Sequence, residues 1–478
     1  MNKSKISDNK IIWSIVVICS MAYISLVFNT NVWMDEAFTA SLAHHSFIEV
    51  IKLSMADTLP PLYNIILWLS TSVFGYHIAV MKLTSVVPMI IVMILGATTV
   101  KNRHGIVTAS AFVLSIAAMP LMLYYGVEIR MYSLGFLFAT ASGIYAFEVI
   151  EESNKKNWIL FTVLSTLAGY SHHFAFVTVG FVYGGLLLYY IFADRKHIVR
   201  WFKCLAFTFL GYFPCLLVTL KQFGNVSGYF SMPDVTFRLF LQYVIYPFMV
   251  GVRPVTLLLI AFVGAIVIFT IVRLVKGIDR SRITICSLFC FAIYYGVLIF
   301  GTIISKIMTA NIFVDRYLFF STGLLWLFIA IQVGKLDDKW KKVAFGIIVI
   351  TFVCSYIVEF KIEYTKSGDE EIAFIDEHIK DGDILYCFGE YEDMENCLPF
   401  YSLINGGATL KYVGPLEVAL NEAINNNVTL YVSVVADYEL TDAEKTMIAD
   451  KGFELVKVAD FEFDRYSCQL LKLEGSNW

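Results

Sequence analysis

Long apolar runs separated by short polar stretches dominate the first three quarters of the chain. A helix needs about 20 apolar residues to cross ~30 Å of hydrocarbon, and eleven runs approach or reach that length. We predict membrane spans over residues 11–29, 78–99, 105–124, 131–149, 157–171, 174–192, 202–219, 255–274, 283–303, 317–333 and 343–360. Residues 62–74 are apolar but short for a span, so they predict an interfacial or half-buried helix.

Basic residues mark one side of this predicted bundle. Cytoplasmic loops are enriched in Lys and Arg, and five basic loops fall on the side of the N-terminus. They contain Lys101 and Arg103; Lys155 and Lys156; Arg195, Lys196 and Arg200; Arg273, Lys276, Arg280 and Arg282; and Lys335, Lys339, Lys341 and Lys342. We therefore predict a cytoplasmic N-terminus and, because the number of spans is odd, a C-terminus outside. Counting 62–74 as a span would place the first of these loops outside.

The pattern changes after residue 360. Helical patterns at 370–380, 416–425 and 442–450 alternate with strand patterns at 384–388, 429–434, 454–458 and 467–473. This order predicts a small α/β domain whose mostly parallel sheet ends in a hairpin. We divide the chain into a membrane domain, 1–360, with 30–77 as its first outer loop and interfacial helices, and an extracytoplasmic domain, 361–478.

Composition supports this division. Of the 478 residues 58% are hydrophobic and 16% are charged, which excludes a soluble globular protein and indicates a mainly helical, polytopic membrane protein. Residues 361–478 have a net charge of −15 and residues 1–360 a net charge of +11. An acidic soluble domain therefore follows a membrane bundle with basic loops, and none of the predicted helices of that domain follows a Gly-rich phosphate loop.

Two features of the sequence have mainly structural interpretations. Six of the nine cysteines lie in apolar runs, where a thiol packs as a small hydrophobic group, and the other three, Cys387, Cys397 and Cys468, allow one disulfide without indicating it. Lysines precede the first apolar run as in a signal peptide, but no small-residue cleavage site follows. We predict an uncleaved first span.

Polar residues that could carry chemistry cluster at the predicted outer ends of the spans. They are Asp35, Glu36, Asp57, Glu128, Arg130, His172, His173, Asp315 and Arg316. The simplest interpretation of any one of them is a solvated residue at the end of a span. Acids and bases near a membrane interior also mark functional sites, because their burial is costly without water, a cation or a substrate.

Three groups favour the functional interpretation. The adjacent carboxylates of Asp35 and Glu36 could accept a proton from a nucleophile or hold a divalent cation. Glu128 and Arg130 place an acid and a base two positions apart, which an interfacial aromatic belt does not explain. Arg316 suits a bidentate phosphate contact, although a snorkelling interfacial arginine explains it equally well.

Histidines at positions 172 and 173 have a weaker signal. His172 and His173 could contact a metal ion or a phosphate, but loop histidines at a membrane interface more often do neither.

Four motifs in series resemble one family. They are Trp33-Met34-Asp35-Glu36-Ala37-Phe38, Asp57-Thr58-Leu59-Pro60-Pro61-Leu62-Tyr63, Phe74-Gly75, and the run from Tyr124-Tyr125-Gly126-Val127 through Glu128-Ile129-Arg130 to Met131-Tyr132-Ser133-Leu134. In order and spacing they resemble the GT-C fold glycosyltransferases that use polyprenyl-phosphate sugars. The nearest group contains protein O-mannosyltransferases, aminoarabinose transferase and Rgt-like lipopolysaccharide transferases. The resemblance covers about residues 10–190, and beyond that rests on architecture and on Arg316-Tyr317.

The resemblance implies roles for particular residues. Asp35 matches the proposed general base on the acceptor, with Glu36 beside it and Glu128 as a further catalytic acid. The remaining matched positions, Asp57, Tyr63, Arg130, Arg316 and Tyr317, imply contacts with substrate. His172 and His173 lie outside the matched motifs, and their predicted position makes them further candidates for substrate binding. Many relatives have His or Lys before the Pro-Pro pair, where this chain has Leu59, and a phosphate or cation contact is lost there.

The function implied is transfer of a hexose or pentose from a polyprenyl-phosphate donor, with inversion, to a glycan, lipid or protein on the outer face of the plasma membrane. Membrane lipids are expected partners and nucleic acids are not. No cofactor is certain, and a divalent cation is an option. A transporter or flippase of a lipid-linked substrate is the alternative of another class, although the charges cluster at one face and the halves show no repeat. The third hypothesis is a non-catalytic relative that binds lipid-linked sugars.

Overall fold

Apolar runs fold as helices along most of the chain in the computed structural model, which describes residues 3–57, 59–225, 235–307, 312–388, 397–405, 411–412, 415–435, 439–463 and 466–475. Up to residue 365 the helices are α1 (Lys3–Leu26), α2 (Met34–Leu42), α3 (Phe47–Ala56), α4 (Leu62–Phe74), α5 (Ile78–Leu95), α6 (Lys101–Ala118), α7 (Met122–Val127), α8 (Tyr132–Glu151), α9 (Lys155–Ser171), α10 (His173–Phe192), α11 (Ile198–Asn225), α12 (Phe237–Ile245), α13 (Arg253–Val275), α14 (Arg282–Ile307), α15 (Phe319–Gly334) and α16 (Asp338–Thr365).

Nine helical stretches within the described residues are long and apolar enough to cross a membrane. Two features explain why this number is lower than the eleven predicted spans. α9 has 17 residues, which is short for a span. The predicted spans 78–99 and 105–124 lie in one helical stretch, 78–118, that is broken at Gly105, where φ is 87°.

The break at Gly105 folds this stretch back on itself. A Cβ atom built on Gly96 would lie 2.7 Å from Cγ2 of Val113, whereas 17 residues of straight helix would separate the two positions by about 25 Å. The arms before and after Gly105 are therefore paired, as two predicted spans would be.

The predicted span 105–124 ends too late. α6 stops at Ala118, and Met119 has an extended backbone, with φ −71° and ψ 161°. The cause is Pro120, because a proline disfavours helical geometry in the residue before it. Leu121 then adopts a left-handed φ of 70°, and the separate helix α7 begins.

Contacts divide the chain into two compact units. The first contains residues 1–26, 47–66 and 82–363, and the second contains residues 27–46, 67–81 and 364–478. We call them the bundle unit and the C-terminal unit.

Helix α15 is the core of the bundle unit, since every residue from Phe319 to Val333 is buried. It packs on α6, α8, α13 and α14. Glycines allow α8 and α15 to approach closely: a Cβ atom on Gly143 would collide with Leu324, and one on Gly323 would collide with Thr140. Small residues at such contacts are the usual means of packing helices in membranes.

A five-stranded sheet forms the core of the C-terminal unit. The further elements are α17 (Asp369–His378), β1 (Ile384–Phe388), α18 (Cys397–Asn405), β2 (Lys411–Tyr412), α19 (Leu416–Asn426), β3 (Leu430–Val435), α20 (Asp442–Asp450), β4 (Phe453–Phe463) and β5 (Tyr466–Gly475). The strand order is β2-β1-β3-β5-β4.

The sheet is mixed, so the prediction of a mostly parallel sheet holds for only part of it. β1 pairs in parallel with β2 and β3, and β5 pairs antiparallel with β3 and β4. The predicted hairpin is confirmed as β4 and β5. Cys397 is buried, and the side chains of Cys387 and Cys468 lie outside those that the structure describes.

Candidate active site

The predicted acid and base of the bundle unit, Glu128 and Arg130, come directly after helix α7. The carboxylate of Glu359, near the end of α16, accepts a hydrogen bond of 2.8 Å from the amide of Leu121 and one of 3.1 Å from the hydroxyl of Ser355. The first amides of a helix lack partners within it. Glu359 thus fixes the turn in which α7 begins, and α7 leads directly to Glu128.

Glu128 and Arg130 follow α7 and are 5% and 8% exposed. The amide of Arg130 donates to the carbonyl of Glu128 at 2.6 Å, so the backbone turns tightly between the two side chains. The hydroxyl of Ser85 on α5 donates to the carbonyl of Arg130 at 3.4 Å and lies 2.7 Å from the hydroxyl of Tyr63. Two of the predicted motifs, the one that ends in Tyr63 and the one that contains Arg130, meet through Ser85.

Tyr63 was predicted to contact substrate, and the structure places it in the interior. It is 2% exposed. Because Ser85 has a single hydroxyl hydrogen and donates it to Arg130, Tyr63 is the donor in its bond with Ser85. In this geometry Tyr63 stabilises the backbone at Arg130 through the hydroxyl of Ser85.

His172 joins α9 to α10 and is buried. Its Nδ1 atom accepts the amide of Phe174 at 3.0 Å. The proton of the neutral ring is therefore on Nε2, which has no hydrogen-bond partner among the described residues. Burial lowers the pKa of His172 well below its ordinary value, and the charges of His173, Arg316 and Arg130 act in the same direction.

Arg316 and Tyr317 lie in a single 3₁₀ turn, Asp315–Leu318, before α15. The guanidinium carbon of Arg316 lies 5.8 Å from the ring centroid of Tyr317, and the ring of Tyr317 lies 4.8 Å from that of His172. We call Arg130, His172, Arg316 and Tyr317 the arginine cluster. It combines two cations and an uncharged N–H donor, which suits an anion with several oxygen atoms.

Aromatic side chains surround the arginine cluster. The ring of His172 lies 4.5 Å from that of Phe320 and 6.3 Å from that of Tyr132, and Phe174 stacks on Tyr317 at 5.0 Å. Such rings exclude water, and charge interactions are stronger where water is excluded.

Three other predicted residues of the bundle unit have less informative positions. His173 is the first residue of α10. Asp57 follows α3, with its amide bonded to the carbonyl of Leu53 at 2.9 Å, and Thr58 beside it lies outside the described residues. Asp315 accepts the amide of Arg316 at 2.8 Å and so shapes the 3₁₀ turn.

Asp35 and Glu36 belong to the C-terminal unit. Both lie in the first turn of α2, which falls within residues 30–77, where interfacial helices were predicted without bounds. The carboxylate of Glu36 is buried and accepts the amide of Trp33, the N-cap residue, at 3.1 Å. Glu36 therefore caps the helix. Asp35 is half-buried and does not take part in this cap.

Sequence reasoning missed several residues near these sites. Lys82 is 5% exposed and stands three positions before Ser85 on α5, on the same helix face. Its signal was a lysine inside an apolar run, because such a residue in a span is functional by default. Ser85 and Glu359 had no comparable signal, since their roles depend on partners distant in the sequence.

A metal site is not apparent in the part of the chain that the structure describes. No group of three or more His, Cys, Asp or Glu side chains among those residues is arranged to hold an ion.

Comparisons with known proteins were made for sequence and for structure. Residues 58–220 match the family model of the dolichyl-phosphate-mannose-protein mannosyltransferases. No curated protein matches the chain by sequence.

The solved structures that are similar to this chain include two of one transferase and one of an oligosaccharyltransferase. ArnT from Cupriavidus metallidurans in the apo state has a TM-score of 0.62 and 11% identity, covering 96% of this chain and 97% of that one. The same protein bound to undecaprenyl phosphate has a TM-score of 0.61, with 11% identity and the same coverage. The archaeal oligosaccharyltransferase AglB from Archaeoglobus fulgidus, in complex with an inhibitory peptide and a dolichol-phosphate, has a TM-score of 0.51 and 11% identity. The match covers 89% of this chain and 69% of that one. At this identity the similarities establish the fold.

Proposed function

We propose, from the premise that this chain is a multi-pass membrane protein of the GT-C glycosyltransferase fold, that it transfers a sugar from a polyprenyl-phosphate donor to a cell-surface acceptor. The predicted resemblance to GT-C fold glycosyltransferases that use polyprenyl-phosphate sugars is confirmed by the fold and by the family match over residues 58–220. The proposed donor is supported by the neighbours that bind undecaprenyl phosphate and dolichol-phosphate.

The arginine cluster is the observation that carries this proposal. Arg130 is buried and Arg316 is half-buried, and both act electrostatically on the buried His172. Guanidinium groups form strong and often bidentate hydrogen bonds with phosphate oxygens. A phosphate diester that joins a sugar to a lipid has both the negative charge and the apolar tail for such a site.

The reaction is a direct displacement at the anomeric carbon. The acceptor oxygen attacks that carbon, the bond from carbon to the phosphate oxygen breaks, and its electron pair leaves with the phosphate. Arg130 and Arg316 stabilise this departing anion more in the transition state than in the ground state. Asp35 takes the proton of the acceptor, and the anomeric centre is inverted.

Other residues have supporting roles in this proposal. The N–H donor of His172 contacts a phosphate oxygen. Glu128 is the alternative base. Asp57 is assigned to substrate binding from the motif match, and His173 from its predicted position at the outer end of a span. The N-terminus is cytoplasmic and the C-terminal unit outside, so reporter fusions after Lys342 and after Lys366 should give opposite readings.

Turnover by the purified protein tests the proposal. Undecaprenyl-phosphate hexoses and pentoses are supplied with envelope glycolipid or peptide acceptors, and released undecaprenyl phosphate is measured, with Asp35→Asn as the inactive control. Release that depends on acceptor supports the enzyme. Lipid binding without release would indicate the non-catalytic relative, and movement of intact donor across vesicles would indicate a transporter. Treatment with EDTA, followed by Mg²⁺ or Mn²⁺, tests for a divalent cation.

A further inference from the structure

The segment before α2 determines where the two acids lie, and it has no regular secondary structure. We call residues 30–33 the lead segment. Backbone amides and carbonyls outside helices and strands need other partners when they are buried. The amide of Asn31 has a local partner in the side chain of Asn29. The carbonyl of Thr30 and the amide and carbonyl of Val32 instead find partners in the part of the C-terminal unit that lies more than 330 residues further along the chain.

Tyr401 on α18 provides two of these contacts through one hydroxyl. The hydroxyl donates to the carbonyl of Thr30 at 3.0 Å and accepts the amide of Val32 at 3.0 Å. Tyr401 is 1% exposed, and burial raises its pKa well above its usual value, so the donor proton is retained. The thiol of Cys397, one turn earlier on α18, lies 3.4 Å from the carbonyl of Val32.

Residues at the start of α17 bind the same segment. The hydroxyl of Thr30 donates to the carboxylate of Asp369 at 2.8 Å and accepts the amide of Gly368 at 3.0 Å. A Cβ atom on Gly368 would collide with the hydroxyl of Tyr401 and lie 2.9 Å from the carbonyl of Thr30. Since Gly368 has an ordinary φ of −105°, glycine is needed there for space and not for backbone freedom.

We propose that Tyr401 and Gly368 are positioning residues for the acid pair, so that the C-terminal domain sets the geometry of the base. This inference rests on the proposed function of Asp35. The path is short: Tyr401 holds Val32, Trp33 is the N-cap of α2, and Glu36 closes that cap on the amide of Trp33. Asp35 lies between these fixed points.

The test compares two variants that each remove one buried tyrosine hydroxyl from the C-terminal unit. Tyr401→Phe loses both contacts with the lead segment. Tyr431→Phe is the matched control, because its hydroxyl donates to the carbonyl of His378 at 3.0 Å and does not contact the lead segment in the described structure. The full-length protein is studied by hydrogen–deuterium exchange of residues 29–38 and by steady-state kinetics.

We expect faster exchange at Val32 and Trp33 in Tyr401→Phe and not in Tyr431→Phe. A small misplacement of a catalytic group can cost up to about 10²-fold in rate, so kcat should fall about 10- to 100-fold while the KM for donor changes less than about twofold. Gly368→Ala, which leaves the tyrosine intact, should reproduce both effects. Tyr431→Phe should match the wild type in both.

Three results would overturn the inference. They are unchanged exchange in Tyr401→Phe, an equal fall of kcat in Tyr401→Phe and Tyr431→Phe, and normal kcat in Gly368→Ala despite faster exchange of the lead segment. Exchange is measured without substrate, so it reports on the contacts even if no polyprenyl-phosphate sugar is turned over. Faster exchange in a protein whose wild type lacks turnover would count against the proposed function and leave the contacts established.

Discussion

The arginine cluster and the acid pair are held in place by different forces. Rings of Tyr132, Phe174 and Phe320 pack around the arginine cluster within the bundle unit. The segment that leads to Asp35 and Glu36 is instead held by hydrogen bonds, between the hydroxyl of Tyr401 and its backbone and from the amide of Gly368 to the side chain of Thr30. Packing tolerates few changes in shape, whereas a hydrogen-bonded segment can be released by the loss of one hydroxyl group.

This difference agrees with the chemistry proposed for the two regions. Binding a phosphate requires fixed charges in a site that excludes water. Taking a proton from an incoming acceptor requires a carboxylate in a defined position but accessible to the acceptor, and Asp35 is half-buried while Glu128 and Arg130 are buried. Substitutions in the two regions should therefore affect different kinetic constants.

The largest effect should come from Asp35→Asn. The asparagine keeps the size of the side chain and removes the basic oxygen, so folding and donor binding should survive. General base catalysis contributes about 10²- to 10⁴-fold, and kcat should fall by that factor with little change in the KM for donor. Near-normal turnover in Asp35→Asn together with loss of turnover in Glu128→Gln would make Glu128 the base.

Arg130→Ala and Arg316→Ala should have the next largest effect, on the donor side only. A hydrogen bond to a charged group contributes about 1.5–3 kcal/mol, so kcat/KM for donor should fall about 10- to 150-fold. The KM for acceptor should stay within about twofold. The control is Arg253→Ala, which removes an exposed arginine at the start of α13. Kinetics in which only the acceptor constant changes would reassign both arginines.

The apolar pattern was sufficient to predict most helices, because a span or a buried strand needs a run of apolar residues whatever its neighbours are. The strand β1 and the helix α20 have the predicted bounds. The end of α6 at Ala118 was predictable from Pro120 but was overlooked in an otherwise apolar run. Helices α2 and α3 lie in the region predicted to contain interfacial helices, but their bounds were not predicted, and α18 was missed. All three are short and lack a clear apolar period.

The contacts that build the candidate sites could not be predicted in the same way. Ser85 contacts Arg130 45 positions away, and Tyr401 contacts Thr30 371 positions away. No periodicity records such pairs, since they exist only after the helices have packed. The motifs indicated which residues carry the chemistry, and the fold was needed to find the residues that hold them.

Glu359→Ala should give a smaller effect, through the start of α7. Loss of a cap costs about 0.5–2 kcal/mol of stability, because the amide of Leu121 would be left without its partner. The thermal unfolding temperature in detergent should fall, and kcat/KM for donor should fall less than in Arg130→Ala. Glu359→Gln keeps an acceptor oxygen and should restore most of both. An unfolding temperature equal to that of the wild type in Glu359→Ala would show that the contact with Leu121 contributes nothing.

Glu36→Gln should have the smallest effect, and it asks whether both acids of the pair are needed. The glutamine oxygen can still accept the amide of Trp33, so α2 keeps its cap and stability should change by less than about 1 kcal/mol. If Glu36 only caps the helix, kcat should fall less than about tenfold. If it also helps to hold a divalent cation, more Mg²⁺ should restore part of the lost rate, whereas Mg²⁺ cannot restore Asp35→Asn. A fall in kcat as large as that of Asp35→Asn, with a normal unfolding temperature and no response to Mg²⁺, would contradict this prediction. It would indicate that the buried carboxylate of Glu36, and not Asp35, is the base.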